Sequence, residues 1–285
     1  MNHDKIILTL KRRGLTSLFF FCGLIVYFSQ ITFNDLFRSE WFVIVKVIII
    51  VGLLVPSFYL FRKKLFYPYG TVIFAFFSAA LSIFLGLYFG KFISQSFILD
   101  QSSIKGFTLN KLFEDIMIVL IIIVLIHLAG ENRKSLYLTR GNLKYGLIIG
   151  ISTFFILTLL AVIQAHLSNT SMSNLIRLSP SILIIVFADG FMEELLFRGL
   201  FLKRFSVIIG TRLSNILTAV LFALAHIQIT YFSEIIIFLL VLFSLGLLWG
   251  YIIQRTNSLL ASVLFHAGAD TLIIIPALHA YGVTI

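Results

Sequence analysis

The 285-residue chain contains a single cysteine, Cys22, and few charged residues. One cysteine excludes an intrachain disulfide and any metal site built from several cysteines. Charged residues make up 12% of the chain and hydrophobic residues 60%, whereas soluble globular proteins average about 25% charged residues. So little charge cannot cover a surface that faces water, which excludes a soluble globular domain. Four prolines and 18 glycines are also too few for a disordered or fibrous chain.

Two familiar hydrolase motifs are also missing. The chain has no HExxH pair of zinc-binding histidines and no GxSxG nucleophile turn, so a zincin helix and a serine-hydrolase elbow are excluded. The net charge of +10 could indicate nucleic-acid binding. The basic residues are grouped in short loops between hydrophobic segments, however, as topology signals are. We therefore expect membrane lipid as a partner and no nucleic acid.

Long hydrophobic stretches dominate what is present. About 20 mostly apolar residues form a helix that crosses the hydrocarbon core of a bilayer. The sequence predicts an all-α, polytopic transmembrane bundle of eight to nine spans, with the active site inside the bundle; the shortest stretch, 215–231, is marginal. The predicted spans are 15–33, 41–61, 71–92, 112–129, 146–165, 181–202, 215–231, 235–254 and 259–278.

The distribution of basic residues over the loops predicts the orientation of this bundle. Fifteen Lys and Arg residues lie on the same side as the N-terminus, against five on the opposite side, a group that includes Lys111. Cytoplasmic loops retain the excess of positive charge. We therefore expect the N-terminus to be cytoplasmic.

The span at 181–202 carries Asp189, Glu193, Glu194 and Arg198. Four charged side chains near the centre of a helix cost about 10 to 14 kcal/mol to insert into a bilayer. This helix must therefore turn its polar side into the bundle. Glu194 and Arg198 are four residues apart and can form a buried ion pair that fixes the helix register. The span carries two further carboxylates, and one arginine cannot neutralise their negative charge as well. This surplus of negative charge indicates a functional site.

Two histidines within later spans could share this site. His226 follows Phe222 by four residues, and His266 precedes Asp270 by four residues, so each pair shares a helix face. Glu193, Glu194 and both histidines are predicted about 12 to 18 Å deep in the bilayer. Imidazoles beside carboxylates suit acid–base chemistry and also suit zinc. Glu114 and Asp115 are interpreted as a helix start and left out of the site.

The order EExxxR, FxxxH and HxxxD in three separate spans resembles the CAAX-processing and bacteriocin-processing (CPBP) intramembrane proteases. This family is also called Abi or type II CAAX prenyl endopeptidases. The resemblance covers about residues 181–275, so residues 181–278 are assigned to a catalytic core, and residues 1–180 to N-terminal helices without recognised motifs. It implies an integral protein of the bacterial plasma membrane that cleaves a membrane-bound or lipidated protein or peptide.

The resemblance also implies roles for individual residues. Glu193 would activate water with the support of His226, while His266 and Asp270 would stabilise the oxyanion or orient the water. Glu194 and Arg198 would organise the site. Many family members carry Asn where this chain has Asp270, and an aspartic acid donates a hydrogen bond only when protonated. Zinc held by Glu193, His226 and His266 and a metal-free glutamate mechanism are both open.

Two other functions remain compatible with the sequence. The first is a non-catalytic membrane protein of the same fold, such as a bacteriocin-immunity factor or a scaffold. The second is a proton-coupled transporter, because Asp, Glu and His residues inside membranes also form proton relays. Transporters commonly contain internal repeats with broken helices, and the sequence shows no convincing repeat. Loss of function on changing Glu193 and His226 would distinguish the protease from the non-catalytic protein.

Overall fold

The computed structural model describes residues 3–32, 40–168, 170–229, 232–280 and 283. Within these ranges the chain is helical and has no strands, which confirms the predicted all-α bundle. Two π-helical segments occur, at Phe28–Thr32 and Glu194–Gly199. The α-helices are α1 His3–Tyr27, α2 Glu40–Phe61, α3 Tyr67–Ser96, α4 Ile104–Leu128, α5 Leu143–Leu167, α6 Met172–Glu193, α7 Leu200–Ile209, α8 Thr211–Ala225, α9 Ile235–Thr256 and α10 Leu260–Ala280.

Seven helical segments in the described ranges are long and apolar enough to cross a membrane, and the chain is an integral membrane protein. These segments are Leu10–Ile31, Trp41–Phe61, Lys64–Ser96, Leu143–Leu167, Met172–Ile209, Ile235–Thr256 and Leu260–Leu278. The remaining two predicted stretches correspond to α4 and α8. Residue 33 of the first predicted span and residues 230–231 of the seventh lie outside the described residues.

The helices α4 and α8 differ from the seven for separate reasons. α4 has 25 residues but carries Lys111, Glu114 and Asp115 in its apolar part. α8 has 15 residues, about 22 Å at 1.5 Å per residue, which is shorter than the hydrocarbon core of about 30 Å. α8 ends at Ala225, so His226 follows the helix instead of lying well inside it as predicted.

Short polar side chains begin three of the helices. Ser103, Asn142 and Ser171 accept hydrogen bonds from the backbone N–H groups of the first turns of α4, α5 and α6. These N–H groups have no partner within their own helix, so a cap of this kind stabilises the helix start. These caps therefore help to specify where α4, α5 and α6 begin.

Aromatic side chains fill the centre of the bundle around α7. Phe201 and Phe205 are buried and contact Phe76 of α3. Tyr27, at the end of α1, stacks on Phe197 with ring centroids 4.5 Å apart. Large aromatic rings supply much of the packing energy of such a core. This core fixes the π-helical segment between α6 and α7, which carries part of the site.

Candidate active site

Three parts of the bundle bring Glu193 and two histidines together. Glu193 is the last residue of α6, His226 follows α8, and His266 lies in α10. The Glu193 Oε1 atom is 3.4 Å from His226 Nε2, and its Oε2 atom is 3.4 Å from His266 Nε2. These separations slightly exceed a normal N–H···O hydrogen bond. Water that contacts all three groups would complete the arrangement.

The imidazole rings of both histidines are fixed by their second nitrogen. His226 Nδ1 donates to the backbone carbonyl of Phe222 over 2.8 Å. His266 Nδ1 donates to Glu194 Oε1 over 3.0 Å, and its ring stacks on Trp249 with centroids 3.9 Å apart. With Nδ1 engaged in each ring, Nε2 is the atom that faces Glu193. Such outer contacts fix the orientation of a functional histidine.

Glu194 lies outside the cavity lining and is hydrogen-bonded to residues that form the site. Its side chain is 0% exposed, and it accepts hydrogen bonds from Arg198 over 2.7 Å and from Ser262 over 2.5 Å. Together with the contact to His266, it links α6, the π-helical segment and α10. A buried carboxylate is tolerated only when it is paired and hydrogen-bonded in this way. The predicted i,i+4 ion pair between Glu194 and Arg198 is present.

Arg198 is enclosed by aromatic rings. Its guanidinium carbon lies 4.5 Å from the ring centre of Phe222 and 5.3 Å from that of Trp249. Gly246 of α9 lies directly beside it, and a Cβ atom there would be 2.9 Å from Arg198 Nη2. The missing side chain at Gly246 therefore makes room for the arginine, and cation–π contacts add to its ion pair with Glu194.

The consecutive residues Glu193 and Glu194 have opposite environments. Glu193 keeps 17% of its side chain exposed, whereas Glu194 has no exposed surface. The change from α- to π-helix occurs between them, since α6 ends at Glu193 and the π-helical segment begins at Glu194. Segments of π-helix within α-helices are rare and often occur at functional sites. The site thus has one carboxylate that is partly exposed and one that is fully enclosed.

Asp270 completes the group one turn further along α10. Its Oδ1 atom is 3.6 Å from His266 Nε2, on the same side as Glu193. The side chain is 18% exposed and lines the same cavity. All six residues singled out from the sequence therefore lie in one region: Glu193, His226, His266 and Asp270 at the cavity, and Glu194 and Arg198 behind it.

This cavity has a volume of about 960 Å³ and is partly open. One side of the cavity is apolar. It is formed by residues of α3, α4, α6 and α10 that include Ile83, Ile118, Ile185 and Ile274. A volume near 1,000 Å³ is at the upper end of ordinary ligand pockets. The cavity can therefore hold a peptide segment together with an apolar chain.

A charged group on the cavity wall was not predicted from the sequence. Lys111, counted as a topology signal in a loop, lies within α4 and contacts Asp115 and Asp189 at 3.1 and 2.8 Å. Glu114 and Asp115 do not mark a helix start, because α4 begins ten residues earlier at Ile104. Ser262 and Trp249 were also missed. The i,i+4 spacing of Ser262 and His266 was a usable signal, whereas nothing marked Trp249.

The side chains were also tested against a zinc site. Two imidazole Nε2 atoms beside a carboxylate are donors that zinc accepts. Over the residues described, however, no group of three or more His, Cys, Asp or Glu side chains is placed to hold a metal ion. Zinc held by Glu193, His226 and His266 and a metal-free glutamate mechanism both stay predictions, and a chelation experiment decides between them.

Comparison with known proteins gives one match. Residues 175–272 match the family model described as Type II CAAX prenyl endopeptidase Rce1-like. The match covers about a third of the chain and includes all six predicted site residues. It confirms the resemblance inferred from the three motifs and supports a protease of the CAAX-processing type. No curated protein and no solved structure gives a significant match.

Proposed function

We propose that this protein is an intramembrane endopeptidase that hydrolyses a peptide bond in a membrane-associated or lipidated protein or peptide. The observation that carries the proposal is the position of Glu193. Its two oxygens lie 3.4 Å from the Nε2 atoms of His226 and His266, on the wall of a cavity within a transmembrane bundle. A carboxylate, two imidazoles and space for a substrate can together supply the base, the donors and the binding site for hydrolysis by an activated water.

Glu193 acts in this mechanism as the general base. Its carboxylate takes a proton from a water molecule, and the resulting hydroxide attacks the scissile carbonyl carbon. Glu193 and His226 then return a proton to the leaving amine, so that the nitrogen departs as a neutral group. Proton transfer by a positioned side chain contributes about 10² to 10⁴-fold to the rate.

His266 and Asp270 stabilise the tetrahedral intermediate. Because His266 Nδ1 donates to Glu194, Nε2 is the atom available to the oxyanion, and it donates a hydrogen bond when the ring is an imidazolium. Asp270, in its protonated form, donates a second hydrogen bond. A donor aimed at a developing oxyanion contributes about 10² to 10³-fold to the turnover rate. Glu194 and Arg198 position this pair without contacting the substrate.

The apolar wall of the cavity favours a substrate that is anchored in the membrane. The apolar residues of α3, α4 and α10 face the same space as Glu193, so an acyl or isoprenoid chain can lie beside the scissile peptide. The matched family is described by its action on prenylated CAAX proteins. We propose a lipidated terminus or a bacteriocin- or pheromone-type peptide as the substrate class.

The proposal predicts that cleavage depends on Glu193 and His226. With purified protein in nanodiscs and a library of lipidated peptides, Glu193→Gln and His226→Ala should each lower kcat/KM by about 10² to 10⁴-fold. Glu234→Gln is the matched control, since Glu234 is exposed beside α9 and lies outside the cavity. Cleavage that persists unchanged in both site variants would refute the roles of Glu193 and His226, and a wild-type protein that cleaves no peptide would leave a binding or scaffolding role.

A second prediction concerns metal ions. Because Glu193 and the histidines supply the base and the donors, we expect cleavage to survive prolonged treatment with 1,10-phenanthroline and EDTA. Metal content measured by mass spectrometry on the same sample tells whether the ions were removed. Stoichiometric zinc, together with activity that is lost on chelation and restored by zinc alone, would replace the metal-free mechanism with a metal-dependent one.

A further inference from the structure

A second charged group lies in the cavity, one helical turn from Glu193. Lys111 of α4 contacts Asp115 Oδ1 at 3.1 Å and Asp189 Oδ1 at 2.8 Å. Glu114 also lines this part of the cavity and accepts a hydrogen bond from Asn110 over 2.9 Å. The group therefore contains three carboxylates and one ammonium.

Asp115 and Asp189 each have one carboxylate oxygen that Lys111 does not contact. Asp189 keeps 27% of its side chain exposed and lines the cavity, whereas its Oδ1 is buried. Asp115 is 1% exposed, and its Oδ2 has no hydrogen-bond partner among the described residues. A buried carboxylate oxygen without a donor is unfavourable. Its charge makes the neighbouring part of the cavity attractive to a cation.

We propose that this part of the cavity binds a basic side chain, lysine or arginine, of the peptide substrate. The contact would be made by Asp189 Oδ2, with Glu114 and Asp115 adding negative charge behind it. The inference rests on the proposed function, because it assigns a substrate feature to the same cavity. Charge-assisted hydrogen bonds to a carboxylate are roughly twice as strong as neutral ones, and a water-poor site strengthens them further.

The position of Asp189 sets where the basic residue lies in the substrate. Asp189 precedes Glu193 by four residues of one helix, a rise of about 6 Å. An extended peptide advances by about 3.3 Å per residue. With the scissile carbonyl at Glu193, a basic side chain two or three residues away reaches Asp189.

An alternative is that Lys111 binds a carboxylate of the substrate. The charges around Lys111 argue against this alternative. Lys111 already donates a hydrogen bond to Asp115 and forms an ion pair with Asp189. An incoming anion would also meet Glu114, which lines the same wall. Like charges in close contact repel, most strongly where water is scarce. A cation reduces the imbalance of this group, whereas an anion increases it.

The test measures binding to the full-length Glu193→Gln protein in nanodiscs, so that no peptide is consumed. Lipidated fluorescent peptides carry arginine or its neutral isostere citrulline at each of six positions around the scissile bond. At one position two or three residues from that bond, the arginine peptide should bind at least about tenfold more tightly. Equal affinities for arginine and citrulline at every position would overturn the proposal.

Substitutions in the same background identify the groups responsible. Asp189→Asn should abolish the preference for arginine, and Glu234→Gln should leave it intact. Lys111→Met removes the resident ammonium and should increase the preference. A preference that survives Asp189→Asn, or that falls in Lys111→Met, would contradict the assignment.

Cleavage by the wild-type protein separates this inference from the proposed function. If the arginine preference is found but the wild-type protein cleaves none of the peptides, the cation site stands and the endopeptidase fails. If the wild-type protein cleaves arginine and citrulline peptides with equal kcat/KM at every position, the endopeptidase stands and the cation site is refuted.

Discussion

Glu194 is the side chain on which the site depends structurally. It is fully buried and is the shared acceptor for Arg198, Ser262 and His266. Changing Glu194 to Gln removes the negative charge that neutralises Arg198. Leaving one member of a buried ion pair unpaired costs about 3 to 5 kcal/mol, so we expect the free energy of unfolding to fall by that amount. Unfolding by SDS in mixed micelles measures it.

Ser262→Ala is the control for this prediction. It removes one hydrogen bond to the same carboxylate but no charge, so a loss of about 1 to 3 kcal/mol is expected. Equal losses in the two variants would mean that the charge of Glu194 contributes little. In that case Arg198 would be stabilised mainly by the rings of Phe222 and Trp249.

At the residue scale, the sequence predicted the polar groups that stand out against an apolar background. Glu193, His226 and His266 could be singled out because charge and imidazole are costly in a membrane. Lys111 could not, since a lysine near the end of a predicted span also serves as a topology signal. Trp249 was not distinguishable from the many aromatic residues that fill the core.

At the level of elements, the spans were predictable and their irregularities were not. Apolar length predicts a helix, but the residues of Glu194–Gly199 are compatible with either α- or π-helix. Glu194 and Arg198 are four residues apart, and their ion pair can form in either kind of helix. The end of α8 at Ala225 was also not predicted, because the apolar sequence continues past His226. Tertiary packing decides these details.

The contact between α5 and α10 gives a prediction at this scale. Gly268 of α10 lies against α5 so closely that a Cβ atom would be 2.8 Å from Phe154 Cα. Gly268→Ala must push the backbones apart, and overpacking of this kind costs about 1 to 3 kcal/mol. Because His266 and Asp270 flank this position, we expect cleavage to fall together with the midpoint of thermal unfolding.

Gly146 of α5 supplies the matched control at the same interface. A Cβ atom there would meet its nearest neighbour, Ala261 Cβ, at 3.7 Å, which is an ordinary contact. Gly146→Ala should therefore leave both unfolding and cleavage close to those of the wild type. If both alanine variants behave alike, the close approach at Gly268 is not what positions α10.

At the scale of the whole molecule, the six candidate site residues come from one part of the chain, whereas the cavity is lined by residues from both parts. The six site residues lie between residues 193 and 270, within the matched segment 175–272. The earlier helices complete the cavity through residues such as Ile83 of α3 and Phe107 of α4. In the sequence, an apolar residue that faces a cavity cannot be told from one that faces lipid. Residues 1–180 therefore gave no signal that they line the cavity.

The orientation of the molecule is the last prediction. Arg62, Lys63 and Lys64 form a basic loop between α2 and α3, and the excess of positive charge in such loops predicts that they are cytoplasmic. In a Cys22→Ser background, a cysteine replacing Lys63 should resist a membrane-impermeant maleimide in intact cells and react after permeabilisation. A cysteine replacing Ser102, in the next loop, should react in intact cells. The opposite labelling pattern would invert the bundle and place the N-terminus outside.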